Sequence, residues 1–359
     1  MDSITMTIPS FLISSLFFFL LSTPNSATAS DSVPAVFAFG DSTIDPGNNN
    51  HINTLFRGYH SHYSRVATGR FSNGKIATDY LTNILGIKDV LPAYLDPRLT
   101  DCDLLTGVSF GSGGSGLDNR TLALTRAMGL ETQFELFEEA LRRIRKIVGD
   151  EKTNDIVQNA LFVISTGTND MLYNAYLIPI RFIGYGSVSA YQDFLLQNLQ
   201  AFIQRLYGAG ARRIMVSGLP PIGCLPQQVT LTSIFTSRNW PLRVCNYQQN
   251  KDSEYYNLKL QSQLHFLRTT LTGAKVAYFD IYTPILDMVQ FPHKYGFVQS
   301  RLGCCGTGLM EMGPVCNALE LTCPDPSKYL FWDAVHLTQA GYKVLAETGR
   351  QSVLPYLTS

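Results

Sequence analysis

The chain has 359 residues, and several things are scarce in it. Charge is the first. Only 16% of residues are Asp, Glu, Lys or Arg, and 28 basic residues balance 28 acidic ones. Without a basic excess there is no electrostatic footprint for a nucleic-acid backbone. No run of like charges marks a solvated tail. After the first residues no apolar stretch is long enough to span a bilayer. Internal repeats and low-complexity tracts are missing. So are paired C-x-x-C knuckles, which argues against zinc and for disulfides at Cys304, Cys305, Cys316 and Cys323. What remains is an ordinary globular composition, 45% hydrophobic, with enough apolar material for a sizeable core. Length alone would allow two domains, but α/β folds of this size are often one.

The exception to the missing apolar run is Pro9 to Leu21, PSFLISSLFFFLL. It is too short to cross a bilayer comfortably. Small residues follow, ending in the A-x-A pattern Ala27-Thr28-Ala29. This reads as a secretory signal peptide over residues 1–29, although its first residues hold Asp2 and no Lys or Arg. A membrane anchor or a buried helix is the alternative. Secretion permits disulfides, and all 7 cysteines lie in the mature part. Cys304 and Cys305 are adjacent, with Cys316 and Cys323 close behind, while Cys224 and Cys245 bracket another segment. The spacing leaves their connectivity open, and Cys102 is the isolated candidate for a free thiol. Asn119-Arg120-Thr121 is a glycosylation sequon, usable at Asn119 in a secreted chain.

Short apolar runs alternate with helical periodicity. Ala35 to Phe39, Gly107 to Phe110, Leu161 to Ser165, Arg213 to Ser217 and Lys275 to Ile281 are the strand candidates. Each is continuous rather than alternating, as strands buried on both faces are. Phe134, Phe137, Leu141, Ile144 and Val148 form a helical stripe. Further helices are expected over Tyr191 to Leu206, Tyr247 to Leu271, and Thr338 to Leu354, the last with Thr338 as N-cap. This alternation implies one α/β domain over 30–359, a parallel sheet with helices on both faces. Ligands in such folds bind at the carboxyl ends of the strands.

Polar residues gather at those ends. The first strand ends in Gly40-Asp41-Ser42, the second in Gly111-Ser112-Gly113-Gly114-Ser115-Gly116, and the third in Gly167-Thr168-Asn169-Asp170. Before the last helix stands Asp333-Ala334-Val335-His336. Asp and His three apart on a tight turn can face one another, leaving the second imidazole nitrogen for a nucleophile. A serine hydroxyl needs such a base. The oxyanion formed in acyl transfer needs donors fixed in advance. Ser42 with its own N–H, Gly114, Asn169, Asp333 and His336 would make a complete set.

The four blocks FGDST, SFGSGGSG, GTND and DAVH, in this order, resemble the SGNH hydrolases, and most closely the plant GDSL esterase/lipase branch. GRFSNGK (Gly69 to Lys75), LPPIGCLP (Leu219 to Pro226) and CCGTG (Cys304 to Gly308) resemble further motifs of that branch. The resemblance covers nearly the whole mature chain. It implies a three-layer α/β/α, flavodoxin-like fold with about five parallel strands. It implies Ser42 as nucleophile, Asp333 and His336 as its partners, and an oxyanion hole from the N–H groups of Ser42 and Gly114 and the Asn169 amide, with Gly113 the alternative to Gly114 in the crowded glycine run. The expected protein is a secreted, extracellular serine esterase, for which a cell-wall or apoplast setting fits. It would act on a lipid or other acyl ester and need no metal or organic cofactor. An acyltransferase using the same triad and an inactive binding relative are the alternatives. Three features depart from the branch. Thr43 stands where leucine is usual, Ser109-Phe110-Gly111 opens the second block in place of Asn-aromatic-Ala, and Tyr59-His60-Ser61-His62-Tyr63 replaces an acidic segment.

Rival patterns exist. Gly107-Val108-Ser109-Phe110-Gly111 fits the G-x-S-x-G elbow and would make Ser109 the nucleophile, but a glycine run follows it instead of a helix. Gly111, Gly113 and Gly116 fit a dinucleotide fingerprint, again without a prompt helix. His60 and His62 could ligate a metal but lack a third ligand nearby. His265 lies on an expected amphipathic helix and reads as structural. Arg70 and Asn73 are expected to support the nucleophile's loop without a catalytic role.

Overall fold

A computed structural model describes residues 1–2, 33–58, 68–178, 183–236, 243–312, 315–317 and 319–359. The expected signal peptide, apart from Met1 and Asp2, and the Tyr59–Tyr63 segment with His60 and His62 lie outside the described residues. The chain divides into a unit over 1–30 and a unit over 31–359, and every element named below belongs to the second.

Four parallel strands form the sheet: β1 (Val36–Gly40), β2 (Leu161–Ser165), β3 (Arg213–Ser217) and β4 (Lys275–Phe279), in that spatial order. Every residue of β1, β2 and β3 is buried, which is why their sequences VFAFG, LFVIS and RIMVS are continuous rather than alternating. At the edge, β4 leaves Lys275 and Tyr278 half-exposed. The expected strand over Gly107 to Phe110 runs parallel along the outer edge of β1. Ala38 N–H donates to Val108 O at 3.2 Å and Phe110 N–H to Ala38 O at 2.8 Å. Only Ala38 and Ser109 form a bridge there. The segment is shared: Ser109 also donates to Pro92 O and accepts from Tyr94 N–H. Counting it, the chain order across the sheet is second, first, third, fourth, fifth. That is the flavodoxin-like arrangement, with its topological switch point beside β1.

Helices cover both faces. We number six of them α1 (Ala77–Ile84), α2 (Leu130–Asn159), α3 (Val188–Gly208), α4 (Tyr247–Thr270), α5 (Tyr282–Gln290) and α6 (Gln339–Ser352). The stripe expected on α2 is its buried face: Phe134, Phe137, Leu141 and Ile144 are buried, and Val148 is half-buried. Phe137 meets Phe37, Phe39, Phe110 and Phe162 with ring centroids 5.3–5.9 Å apart, and this aromatic block fixes α2 on β1 and β2. Thr338 caps α6 by accepting from Gly341 N–H. His265 is exposed on α4.

A second, two-stranded parallel sheet was not legible in advance. It joins β5 (Gln299–Gly303) to β6 (Tyr329–Phe331). Disulfides Cys304–Cys323 and Cys305–Cys316 staple the connection between these strands, and Cys224–Cys245 closes another loop. The cysteines considered for zinc are therefore paired with one another, and Cys102 is the exposed free thiol.

Candidate active site

The turn after β1 carries Ser42. It is held from both sides at Gly40, which has φ +137° and sits so close to β2 that a Cβ would lie 1.8 Å from Ser165 O. Gln133 of α2 clamps the same peptide. Its Oε1 accepts from Gly40 N–H at 2.8 Å, and its Nε2 donates to Gly40 O at 2.9 Å. Sequence reading missed Gln133; its signal was a polar residue at the start of an otherwise apolar helical stripe. Asp41 accepts from Thr43 N–H at 3.0 Å and from Thr43 Oγ at 2.8 Å, and that hydroxyl also lies 2.8 Å from Ser165 Oγ. A leucine at position 43 would make neither hydroxyl contact. Burial pushes the Asp41 carboxyl up, against these hydrogen bonds and the nearby His336.

The turn between β6 and α6 carries the partners. His336 Nε2 lies 2.6 Å from Ser42 Oγ, and Nδ1 lies 2.6 Å from Asp333 Oδ2. Asp333 is fully buried, and its Oδ1 accepts from Val335 N–H at 2.7 Å and His336 N–H at 2.6 Å. Those two bonds fix the carboxylate, and the carboxylate orients the ring. The turn is closed by Trp332 N–H donating to His336 O and by the pairing of Phe331 with Leu337. From below, Cys304 and Cys305 N–H groups donate to Phe331 O and Trp332 O, so the stapled segment supports the turn directly. Gly303 is needed there, since a Cβ would come within 2.7 Å of the Asp333 carbonyl.

GRFSNGK supports this same turn rather than the nucleophile's loop expected from sequence. Asn73 Oδ1 accepts from Gln339 N–H, Ser72 Oγ donates to Leu337 O, and the Phe71 ring lies 5.2 Å from the His336 ring. Arg70 makes a two-pronged pair with buried Asp79, which also accepts from Ile76 and Leu91 N–H groups.

The third component is the glycine-rich loop. Asp45, Asn48 and Asn49, which follow Ser42 in sequence, bind its backbone. Asp45 accepts from Gly113 N–H at 2.9 Å, Asn48 Nδ2 donates to Gly111 O at 2.8 Å, and Asn49 Nδ2 donates to Gly113 O at 2.7 Å. Burial pushes the Asp45 carboxyl up to about 6. Because the Gly113 N–H is taken, Gly114 is the glycine of this pair left to face the cleft, which it lines with Ser42, Asn169, Phe56, Phe71 and His336. Neither Ser42 N–H nor Gly114 N–H has an acceptor among the described residues. Asn169 donates one amide hydrogen to Ser115 O at 2.8 Å and keeps the other. Next to it, Asp170 is fully buried and accepts from Leu117 N–H, Asp118 N–H and Thr121 Oγ, while burial pushes its carboxyl up to about 7.

The rivals fall elsewhere. Ser109 is fully buried, donates to Ile44 O at 2.6 Å and accepts from Gly111 N–H at 3.1 Å, so its hydroxyl is spent on backbone. The helix after Gly111, Gly113 and Gly116 begins only at Asn119 and is seven residues long, unlike a dinucleotide site. Asn119 is exposed at its start, although Thr121 of the sequon is buried against Asp170. Among the described residues no group of three or more His, Cys, Asp or Glu could hold a metal ion, and no helix is long and apolar enough to cross a membrane.

The assembled groups are those of acyl transfer: a hydroxyl hydrogen-bonded to an imidazole, a carboxylate behind it, and spare N–H donors in the same cleft. Comparison with known proteins agrees with that chemistry. Residues 36–348 match the family described as GDSL-like Lipase/Acylhydrolase. The chain is 51% identical over 352 residues to GDSL esterase/lipase At2g40250 of Arabidopsis thaliana, covering 97% of each chain. It is 44% identical over 326 residues to GDSL esterase/lipase At2g24560, covering 89% of this chain and 88% of the relative. It is 45% identical over 318 residues to GDSL esterase/lipase At1g06990, covering 87% of each. Both of these are also from Arabidopsis thaliana.

Proposed function

The chain belongs to the GDSL-like lipase/acylhydrolase family and is a carboxylic ester hydrolase, and from that premise we propose that it works as a secreted serine esterase through Ser42, His336 and Asp333. One observation carries the reading: the unbroken relay from Ser42 Oγ through His336 to Asp333, 2.6 Å at each step. His336 Nε2 takes the Ser42 proton as Oγ attacks the ester carbonyl carbon. The carbonyl oxygen becomes an oxyanion held by the N–H groups of Ser42 and Gly114 and the free amide hydrogen of Asn169. Collapse breaks the bond to the alcohol oxygen, which takes the proton from Nε2 and leaves. The acyl group then sits on Ser42 Oγ. Water attacks it as Nε2 takes a proton from that water, and the acid departs as the proton returns to Oγ. Asp333 stays ionised throughout and stabilises the imidazolium.

Secretion is supported by the apolar run and A-x-A pattern at the start of the sequence and by three disulfides, which persist in oxidising compartments. In this reading residues 30–359 form one mature hydrolase domain, and exposed Asn119 carries a glycan. A fluorophosphonate probe tests the site. Wild-type protein and Ser109→Ala should label on serine and hydrolyse p-nitrophenyl acetate, and Ser42→Ala should do neither. Substantial activity in Ser42→Ala would sink the assignment.

A further inference from the structure

A second cavity lies beside the cleft, and no step of the hydrolysis above uses it. It encloses about 90 Å³ between the sheet and α6, bounded by Val163 and Met215 of β2 and β3 and by Leu345 and Ala346 of α6. Thr43 and Thr168 lie at the strand ends that border it. These are the chain neighbours of Ser42 and Asn169, the proposed nucleophile and amide donor. Val335, next to His336 in sequence, lines both this cavity and the catalytic cleft.

The lining is mostly aliphatic and aromatic, with the hydroxyls of Thr78, Thr168 and Ser217 at its border, and the hydroxyl of Thr43 is already occupied by Asp41 and Ser165. Apolar cavities in protein interiors stay dry and take apolar ligands; one of about 150 Å³ holds benzene. A flexible chain suits such a space better than a sugar or a phenolic ring, whose polar groups would go unpaired.

We propose that this cavity receives the acyl chain of the substrate, an unbranched aliphatic chain that passes Val335 with its carbonyl carbon over Ser42. The inference rests on the hydrolase reading for the position of the carbonyl, but binding can be measured without turnover. Straight-chain fatty acids from acetate to decanoate are titrated calorimetrically into Ser42→Ala protein. Affinity should rise about fourfold per methylene and level off once the space is filled. Adding Ala346→Phe should abolish that rise, and Ala346→Leu should shorten it. The leucine variant carries the comparison if the phenylalanine variant does not fold. In protein with Ser42 intact, the ratio of kcat/KM for hexanoyl over acetyl esters should fall at least tenfold with Ala346→Phe. Affinity independent of chain length, or a rise unchanged by both substitutions in folded protein, overturns the proposal. The two readings separate cleanly. Loss of hydrolysis in Ser42→Ala with flat binding keeps the hydrolase and removes the cavity's role. Chain-dependent binding with hydrolysis intact in Ser42→Ala does the reverse.

Discussion

Asp333→Asn is the sharpest perturbation the structure offers, because it changes no shape and removes one charge. The carboxylate has two different neighbours. Oδ2 faces His336 Nδ1, while Oδ1 accepts the Val335 and His336 N–H groups. An asparagine must place its NH2 toward one side. Toward His336, the amide donates to Nδ1 and forces the ring proton onto Nε2, which can then no longer accept the Ser42 proton. Toward the backbone, the histidine keeps its working tautomer, but two buried N–H donors face an NH2. Hydrogen bonds to a charged group are worth roughly 1.5–3 kcal/mol each. The working orientation is therefore disfavoured by about 3–6 kcal/mol, which corresponds to a loss of about 10²- to 10⁴-fold in kcat. Loss of the negative charge behind the imidazolium adds to this. The assay is steady-state hydrolysis of p-nitrophenyl acetate, with a thermal melt to show that the variant folds. A folded variant retaining more than a tenth of wild-type kcat would refute the tautomer reasoning and, with it, the proposed role of Asp333.

Asn169→Ala should lower kcat by about 100- to 1000-fold with little change in KM, since the amide is proposed to bind the oxyanion and not the ground-state ester; an equal effect on KM alone would place Asn169 in substrate binding. Stability should fall as pH rises from about 4 to 7, because burial raises the Asp170 carboxyl from 3.8 to about 7, so the folded form keeps a proton that the unfolded chain releases. The full shift corresponds to about 4 kcal/mol, and Asp45, raised to about 6, acts in the same direction. Urea denaturation at pH 5 and pH 8 should show this fall, and Asp170→Asn should flatten it; stability that rises over that window and is unaltered by the substitution would count against it.

Much of the fold was legible because its signals are local. The strands β1, β2, β3 and β4 announce themselves as short apolar runs, and Thr338 caps α6 where a threonine before a helical stripe should. The two-stranded sheet was not legible. Gln299–Gly303 reads QSRLG, and β6 is only three residues long, so neither carries the periodicity of a buried strand. Their pairing comes from disulfide-stapled connections, and which cysteine meets which cannot be read from spacing. The edge segment at Gly107 to Phe110 shows the opposite limit. Its composition signals a strand, but its backbone hydrogen bonds are divided, Val108 and Phe110 bonding β1 while Ser109 bonds the 92–94 stretch, a tertiary competition invisible in composition.

The site divides in the same way. Ser42, Gly114, Asn169, Asp333 and His336 were named from sequence because each stands at a strand end or before a helix, where chain direction alone brings them to one edge of the sheet. The residues that hold them were mostly missed or misplaced. Gln133 comes from a helix almost a hundred residues downstream to grip the peptide of Gly40, and GRFSNGK supports the histidine's turn and not the serine's. The asymmetry has a physical cause. Reacting groups must be polar, exposed to a cleft and placed by topology, so they stand out against apolar strands. Supporting groups need only a backbone hydrogen bond in three dimensions, and many polar residues could supply one. Thr43 falls between these cases. It looks like a lapse from a leucine, yet its hydroxyl joins Asp41 to Ser165 directly behind Ser42 and beside the apolar cavity. At that position a residue exchange that leaves the proposed reacting groups untouched still alters both what steadies the proposed nucleophile and what borders the space proposed for the acyl chain.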